Sequence, residues 1–412
     1  MESVIRDQID WQQPFTAEEY AARRARVKAA LEAAGYDGML VTAPRDCCYL
    51  SGHDHIWQFR RAGAGLYFDT ASGTFVSYDN AMHQAIVSTT PEINEVFYTP
   101  RRVTESELAA CVADNLLTRG LARGRVAIQT AGHGGQGDPV RDIGRRLAGA
   151  GATVVEDSHI IEDLRLYKSA AEMAVMRQAG AIAREAMAAA RDFMEPGVME
   201  TEIDAVICHE MMKRGCGHPA IPSMIGSGPR SGDHHGTACH RRLKPGDVVH
   251  LDFAASLHRY HVNMCRGFAV GEIDGRWHDL MNRSAGCSAA IVAGVKPGDP
   301  FSAVQKAANL YIDASGVDRA AHEWFIGGYV LGIAFPPDWV HRHRPQPFED
   351  VPDPEMKPGM TFNFEVQYDV FDGWPGGSGA GWIDTFLMTE TCLEILTEMP
   401  RQLVAVGGAQ AA

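Results

Sequence analysis

Alternating blocks of apolar and polar residues predict an α/β domain over residues 1–165. Residues 17–34 (AEEYAARRARVKAALEAA) have the spacing of a helix that ends at Gly35. GLYFDTASGTFVSYD predicts two strands joined by a turn at Ser72-Gly73. The pattern further predicts buried strands in YDGMLVTAP, CCYLSG, RVAIQT and ATVVEDS, and helices over residues 105–119 and in VRDIGRRLAGAG. Helices and strands that alternate in this way are typical of an α/β domain.

A long helix rich in Ala and Met begins the second part of the chain. Ser169 and Glu172 form an S-x-x-E capping box just before it. A shorter helix is predicted to follow and to stop at Gly215, because glycine commonly ends a helix. We therefore place the domain boundary before Ser169 and expect a C-terminal domain over residues 166–412.

The stretch HLDFAASLHRYHVNMCRGF at residues 250–268 predicts a β-hairpin with one polar face. Side chains of a strand alternate between its two faces, so every second residue faces the same way. If Asp252 faces a cavity, the hairpin offers that cavity the polar groups of His250, Asp252, His261, Asn263 and Cys265. Burying a carboxylate is costly unless it is paired. An Asp set among apolar residues is therefore expected to serve a site.

Composition narrows the possible functions. The chain has 412 residues and a net charge of −14, which argues against binding of nucleic acid. Its nine Cys residues form no CxxC pair, which favours reduced thiols in the cytoplasm. There is no apolar signal segment at the start and no uninterrupted apolar run long enough for a membrane helix. We expect a cytoplasmic protein that binds neither nucleic acid nor a membrane.

Five stretches of the chain together carry a family resemblance: LRLYKSAAEMAVMRQA, IPSMIGSGP, HHGTACHRRLKPGDVVHLDFAASLHRYHVNMCRGF, FIGGYVLGI and KPGMTFNFEVQY. They resemble the creatinase, prolidase and methionine aminopeptidase superfamily. YDGMLVTAPRDCCYLSG resembles the N-terminal domain of the creatinase and aminopeptidase P branch. The resemblance implies an α/β (α+β) protein with a creatinase-like N-terminal domain. In the pita-bread domain that follows, helices are expected to cover a curved, mostly antiparallel sheet.

The metal-dependent members of this superfamily bind two divalent ions through Asp, Asp, His, Glu and Glu. Carried over by position, these ligands fall on Asp252, Asn263, Tyr329, Glu365 and Ile383. Two carboxylates offset too little of the charge of two divalent cations, and an Ile provides no ligand. We therefore expect no metal and no other cofactor, as in the creatinase and ectoine hydrolase branches. RYHVNMCRGF and GYVLGIAFPPDW resemble ectoine hydrolase in particular.

The resemblance implies a metal-independent hydrolase that cleaves a C–N bond of a small, nitrogen-rich, zwitterionic compound. A creatine-like guanidino acid and an ectoine-like cyclic amidine are both of this class. Glu365 and the segment VHRHRPQPF depart from the ectoine hydrolase pattern, so the substrate stays open. The alternatives are a metal-dependent Xaa-Pro aminopeptidase or dipeptidase, a lyase, and a non-enzymatic binding module on the same fold.

Catalytic roles are expected for three residues. His235 lies where the superfamily has a catalytic His, and we prefer it to its neighbour His234 because of its spacing to KPGD. Histidine titrates near neutral pH and suits proton transfer. Asp252 could activate water, hold a cationic group or attack directly. Glu365 could hold the same cation from the opposite side.

Substrate contacts are expected from the hairpin, from two later segments and from a partner subunit. The candidates within the subunit are Asn263, His261, Cys265, Tyr329, Arg266 and Arg342. Arg342 lies with Arg344 in VHRHRP, and an Arg fork suits a substrate carboxylate. In the creatinase branch the partner's N-terminal domain completes the cavity. The resemblance therefore implies a homodimer in which Trp57 and Phe59 of SGHDHIWQFRR form a cross-subunit wall.

Overall fold

The computed structural model describes residues 14–54, 65–130, 137–337, 339–370 and 378–407. The chain divides into two compact units, Met1–Arg165 with Phe335–Asp338, and Leu166–Ala334 with Trp339–Ala412. It combines helices with two separate sheets, which confirms the predicted fold class. Trp57 and Phe59 lie outside the described residues. In the part of the chain that is described, no helix is both long and apolar enough to cross a membrane.

A mixed sheet forms the centre of the first unit. Its strands are β1 Gly38–Val41, β2 Gly65–Asp69, β3 Thr74–Asn80, β4 Val96–Thr99, β5 Arg125–Ile128 and β6 Thr153–Glu156, in the order β4-β3-β2-β1-β5-β6. Its helices are α1 Ala17–Ala33, α2 Pro44–Ser51, α3 Gln84–Val87, α4 Glu105–Thr118, α5 Gly137–Gly149 and α6 Ile160–Leu164. The hairpin predicted at Ser72-Gly73 is the antiparallel pair β2 and β3.

The strand predicted in CCYLSG is wrong, because these residues belong to helix α2. Pro44 occupies the first turn of this helix, where its missing N–H is not needed. Gly52 ends the helix with φ at 73°, a conformation that glycine adopts without strain. Ser51 also donates a hydrogen bond back to the Cys47 carbonyl at 2.7 Å. A short apolar run cannot by its periodicity distinguish a strand from a buried helix.

An almost entirely antiparallel sheet forms the second unit. Its strands are β7 Met224–Ser227, β8 Val248–Leu257, β9 Tyr260–Val270, β10 Glu323–Val330, β11 Thr361–Asp369, β12 Gly379–Met388, β13 Leu393–Ile395 and β14 Val404–Val406. The main order is β10-β11-β12-β9-β8-β7, with β13 beside β12 and β14 parallel to β9. The helices are α7 Ala170–Phe193, α8 Glu200–Met212, α9 Gly275–Ala285, α10 Cys287–Gly294, α11 Ser302–Ser315 and α12 Arg319–His322. The predicted capping box of Ser169 and Glu172 is confirmed at the start of α7.

Strand β11 shows how the sequence separates the two faces of this sheet. Phe362 and Phe364 belong to the hydrophobic core, where Phe362 stacks on Phe386 with ring centres 5.3 Å apart. Burying each such side chain stabilises the fold by roughly 1.5–3 kcal/mol. Asn363 and Glu365 alternate with these two residues along the strand and therefore face the other side. The core thus leaves one face of the sheet to polar side chains.

A two-residue turn joins β8 to β9 and fixes the register of this hairpin. His258 and Arg259 have φ values of 50° and 67°, the left-handed conformation that a tight hairpin turn requires. The turn pairs Asp252 with Cys265 and Ala254 with Asn263. A slip of one residue would move every side chain of one strand to the opposite face. The turn therefore determines which polar groups can meet.

Candidate active site

Five strands of the second unit bring the predicted polar residues into two neighbouring rows. Successive pairs across the sheet give one row of Asp252, Cys265, Ile383, Glu365 and Gly327. The next row consists of Ala254, Asn263, Thr385, Asn363 and Tyr329. Cross-strand partners share a face with residues two positions along. Side chains that are distant in sequence therefore meet on one side of the sheet.

A cavity of about 260 Å³ opens on this face. All three predicted catalytic residues line it: His235, Asp252 and Glu365. Tyr329, predicted to contact substrate, lines it as well. Three more aromatic side chains form part of its wall, those of Trp324, Phe325 and Trp339. The cavity therefore combines two acids and a histidine with several ring faces.

Two amide side chains link the acids to each other. Asn263 Nδ2 donates to Asp252 Oδ1 at 2.7 Å. Asn363 Nδ2 donates to Glu365 Oε1 at 2.8 Å and to Asn263 Oδ1 at 3.1 Å. The Tyr329 hydroxyl also donates to Glu365. Each buried acid therefore has a hydrogen-bond donor, which offsets part of the cost of its burial.

Burial raises the pKa of both acids. Loss of hydration raises the pKa of Glu365 from 4.5 to about 7, although hydrogen bonds from Tyr329 and Asn363 and the charge of Arg344 lower it. Burial, and after it the charge of Glu365, raises the pKa of Asp252 well above its usual value. The pair therefore binds a proton more tightly than two carboxylates in water would. It can supply a proton as well as accept one.

The two neighbouring histidines occupy different environments. His235 is exposed and lines the cavity, with its ring centre 5.0 Å from that of Trp324. His234 is fully buried, and its Nε2 donates to the Tyr368 carbonyl and to Asp369 Oδ1, each at 3.1 Å. The structure thus places His235 at the cavity, and His234 in the interior.

His261 and Cys265 do not line the cavity. His261 Nδ1 donates to the Arg259 carbonyl at 2.7 Å, and its Nε2 accepts the Ala220 N–H at 2.9 Å. Burial lowers the pKa of His261 to about 4, so the ring stays neutral. Cys265 Sγ lies 3.5 Å from His250 Nδ1, and burial raises the pKa of the thiol while lowering that of the imidazole. The substrate contacts predicted for His261 and Cys265 do not fit these positions.

Arg266 is held within the sheet. Both terminal nitrogens of its guanidinium donate at 2.6–2.8 Å, to Asp384 Oδ1 and to the carbonyls of Cys265, Ile383 and Thr397. The guanidinium also lies 4.1 Å from the ring centre of Trp382. Because these donors are already used, the substrate contact predicted for Arg266 does not fit its position. It is an internal ion pair with Asp384.

Arg344 lines the cavity, and Arg342 does not. The Arg344 guanidinium lies 5.9 Å from the ring centre of Tyr329, and its charge lowers the pKa of Glu365. Both arginines belong to the segment VHRHRP, and the substrate contact was predicted for Arg342. The arginine available to a substrate is therefore Arg344.

The donor set does not fit a pair of metal ions. Ile383 pairs with Glu365 in register, is fully buried and provides no ligand. An N–H of Asn263 donates to Asp252 Oδ1, where a two-ion site would have a second carboxylate in place of the amide. Within the described ranges, no three His, Cys, Asp or Glu side chains are grouped as ligands of one ion.

Several residues of the site were missed by sequence reasoning. Asn363 could have been found, because FNFEVQY alternates apolar and polar residues and so places Asn363 on the same face as Glu365. Trp324 and Trp339 line the cavity from the start of β10 and from the segment after it. Trp339 ends the motif GYVLGIAFPPDW, which could have drawn attention to it, whereas no local pattern in the sequence marks Trp324.

Comparisons with known proteins agree with this architecture. Residues 174–390 match metallopeptidase family M24, and residues 23–167 match the creatinase/prolidase N-terminal domain. An uncharacterized hydrolase/peptidase of Sinorhizobium fredii is 26% identical over 400 residues, which cover 95% of this chain and 98% of the relative. The ectoine hydrolase of Halomonas elongata is 25% identical over 409 residues, with the same coverage of 95% and 98%.

A solved structure shows the same fold. An Xaa-Pro dipeptidase from Bacillus anthracis matches with a TM-score of 0.74 at 22% identity, covering 94% of this chain and 100% of that one. The M24 match alone spans more than half of the chain. The predicted superfamily is confirmed, and the chain belongs to metallopeptidase family M24, within the creatinase, aminopeptidase P and prolidase superfamily.

Proposed function

We propose that this protein hydrolyses a C–N bond other than a peptide bond, in a small nitrogen-rich zwitterion, and that it does so without a metal ion. The observation that carries the proposal is the pair of buried acids, Asp252 and Glu365, which face one cavity and are held by amide and hydroxyl donors. A two-ion site would need these oxygens for cations.

The cavity suits a small cation that also carries a carboxylate. Its volume of about 260 Å³ lies just below the ~300–1,000 Å³ typical of sites for drug-sized ligands. A planar amidinium or guanidinium group can form paired hydrogen bonds with carboxylates and can lie against aromatic rings such as those of Trp324 and Trp339. Arg344 can bind a carboxylate at the other end of the substrate.

The chemistry follows from the groups at the cavity. Hydrolysis of an amidine requires an oxygen nucleophile at the carbon and a proton on the departing nitrogen, and water supplies both atoms. Asp252 either attacks this carbon or takes a proton from the attacking water. His235, which is open to the cavity and to solvent, delivers a proton to the nitrogen. Mass spectrometry of protein quenched during a single turnover separates the two roles of Asp252, because direct attack leaves the acyl part of the substrate bonded to its carboxylate until water hydrolyses that bond.

Similarity to the ectoine hydrolase of Halomonas elongata over nearly the whole chain supports this class of reaction. A second candidate is a metal-dependent Xaa-Pro peptidase, which the match to a metallopeptidase family favours. The remaining ligands argue against a metal-dependent peptidase, because the buried Ile383 stands where such an enzyme has a metal-binding Glu. The open cavity also argues against a pure binding module, for which we would expect a pocket filled by bulky side chains.

A substrate panel with and without metal tests the proposal. Ectoine, creatine and related cyclic amidines are assayed in EDTA, and Xaa-Pro dipeptides are assayed with Mn²⁺. We expect turnover of a C–N substrate that EDTA does not change. His235→Asn should lower its kcat by about 10²–10⁴-fold. His240→Asn, an exposed histidine of the same loop, is the matched control and should keep full activity. Turnover of dipeptides alone, and only with Mn²⁺, would contradict the proposal.

A further inference from the structure

Asn363 lies between the two acids and is fully buried, without lining the cavity. Its Oδ1 accepts the main-chain N–H of Tyr329 at 3.0 Å. Its Nδ2 donates one hydrogen to Glu365 Oε1 and the other to Asn263 Oδ1. Both hydrogens of this amide therefore have acceptors, and its oxygen has a donor.

The main chain decides which way this amide points. A backbone N–H can only donate, so the Tyr329 N–H requires the oxygen of Asn363 on its side. The Asn363 nitrogen then faces Glu365 and Asn263. Because that nitrogen needs an acceptor, it holds the oxygen of Asn263, and the Asn263 nitrogen must face Asp252 and the Phe253 carbonyl at 3.2 Å.

We propose that Asn363 is a positioning residue that orients the Asn263 amide, so that an N–H faces Asp252 and both acids belong to one hydrogen-bonded chain. The chain runs from the Tyr329 N–H through Asn363 to Glu365 on one branch and through Asn263 to Asp252 on the other. The orientation itself depends on geometry alone. Its importance for turnover rests on the proposed function of the acids.

Reversing the Asn263 amide would bring its oxygen against the Asp252 carboxylate, so two acceptors would face each other. Such a contact loses a hydrogen bond and adds repulsion inside a buried site. Asp252 would have to move or lose its partner. A residue on β11 thereby determines how an acid on β8 meets the substrate.

Two variants remove the donors of Asn363 in different ways. Asn363→Asp keeps an acceptor for the Tyr329 N–H and nearly the same shape, but it donates no hydrogen bond when ionised and only one when protonated, so it cannot donate to Glu365 and Asn263 together. Asn363→Leu removes every polar atom. Gln305→Leu is the control, because Gln305 donates to the Ile326 carbonyl of β10 at 3.3 Å and contacts neither acid. If one Asn363 variant does not fold, the other still tests the proposal.

The readout is the side-chain NH₂ signal of Asn263 in protein labelled with ¹⁵N-asparagine, identified by its absence in Asn263→Leu. Its hydrogens should exchange at least about tenfold faster in both Asn363 variants, because a hydrogen bond that orders the amide is lost. They should exchange at the wild-type rate in Gln305→Leu. An unchanged Asn263 signal in the Asn363 variants would overturn the proposal.

Activity separates this inference from the proposed function. On a C–N substrate from the panel, we expect Asn363→Asp to lower kcat by about 10–100-fold with little change in KM, since Asn363 touches no substrate. Unchanged kcat in a variant with altered Asn263 exchange would overturn its role in turnover. If wild-type protein cleaves no C–N substrate while Asn263 still responds, the proposed function fails and the orienting role of Asn363 stands.

Discussion

Burial of Glu365 makes the stability of the protein depend on pH. Its pKa is 4.5 in the unfolded chain and about 7 in the folded one, so the folded state binds this proton more tightly. The stabilisation that results is complete below pH 4.5 and is lost as the pH rises to about 7. Between pH 4.5 and about 7, the free energy of unfolding should therefore fall by up to about 3 kcal/mol in the wild type. We predict that this fall is absent in Glu365→Gln, because glutamine cannot ionise. Urea unfolding of both proteins at the two ends of the window measures it, and the same pH dependence in both would contradict it.

Arg266 should contribute to stability far more than a surface arginine. Arg266 is 3% exposed, and its loss would leave the buried carboxylate of Asp384 without its cation. We predict that Arg266→Met lowers the free energy of unfolding by about 3–5 kcal/mol. Arg177→Met breaks an exposed pair with Glu394 and should cost less than about 1 kcal/mol. Denaturant titration compares the two, and equal losses would show that the buried pair has no special weight.

The sequence predicted the positions of some site residues and not of others. His235, Asp252 and Glu365 reach the cavity as expected, because motif position and strand alternation constrain them. Arg342 and Arg344 lie in an irregular segment, where backbone dihedrals and not a fixed period decide which side chain turns inward. The four acceptors around Arg266 come from β9, from β12 and from Thr397, so no local pattern could reveal them.

At the level of elements, Gly328 allows β10 and β11 to approach closely. A Cβ at this position would overlap the Asn363 carbonyl oxygen. We predict that Gly328→Ala separates the strands and lowers the free energy of unfolding by about 1–3 kcal/mol. Gly275, the first residue of α9, has open space around a built Cβ, so Gly275→Ala should be neutral or stabilising by up to ~1 kcal/mol. Urea unfolding measures both, and a neutral Gly328→Ala would contradict the close approach.

Elements were predictable where one period ran long enough. The β8–β9 hairpin and the helix α7 carry patterns of many residues, and their types agree with the prediction. CCYLSG is too short for its hydrophobic period to distinguish a strand from a helix. Pro44 before it and Gly52 at its end were the better signals for a helix. The alternation in β11 also contained the clue to Asn363.

For the whole molecule, the side chains available as metal ligands predict that the protein binds no metal ion and does not need one for stability. We expect purified protein to contain far less than one divalent ion per chain, and EDTA to leave its melting temperature unchanged, because binding to the folded state alone would raise it. Elemental analysis and thermal unfolding with EDTA or added Mn²⁺ check this. Two tightly bound ions whose removal lowers the melting temperature would contradict it.

The homodimer implied by the superfamily remains a prediction, as does the cross-subunit wall of Trp57 and Phe59. Mixing subunits of Trp57→Ala with subunits of Glu365→Gln tests both together. If each cavity uses Trp57 of the partner, random mixed dimers restore about a quarter of the sites, since one site of each mixed dimer carries neither change. Native mass spectrometry first shows that mixed dimers form. If activity does not recover in these dimers, Trp57 belongs to the site of its own subunit or to no site.

Trp324 and Trp339 show why a pocket is harder to predict than a fold. Each reaches the cavity because separate segments converge in space. The motif that contains Trp339 does not by itself show that this ring faces the acids. The motifs gave the scaffold and the acids. The aromatic walls, which would choose among substrates, required the three-dimensional structure.

Ile383 opposes a stepwise conversion of this cavity into a two-ion pocket. It lies between Cys265 and Glu365 in one row across the sheet. A glutamate gained there alone would be a third acid in a dry interior, with no cation to balance it. An aspartate gained at Asn263 alone would face Asp252 with the same deficit. Protein that carries either change alone would fold poorly, so this cavity should accept new substrates more readily than it accepts ions.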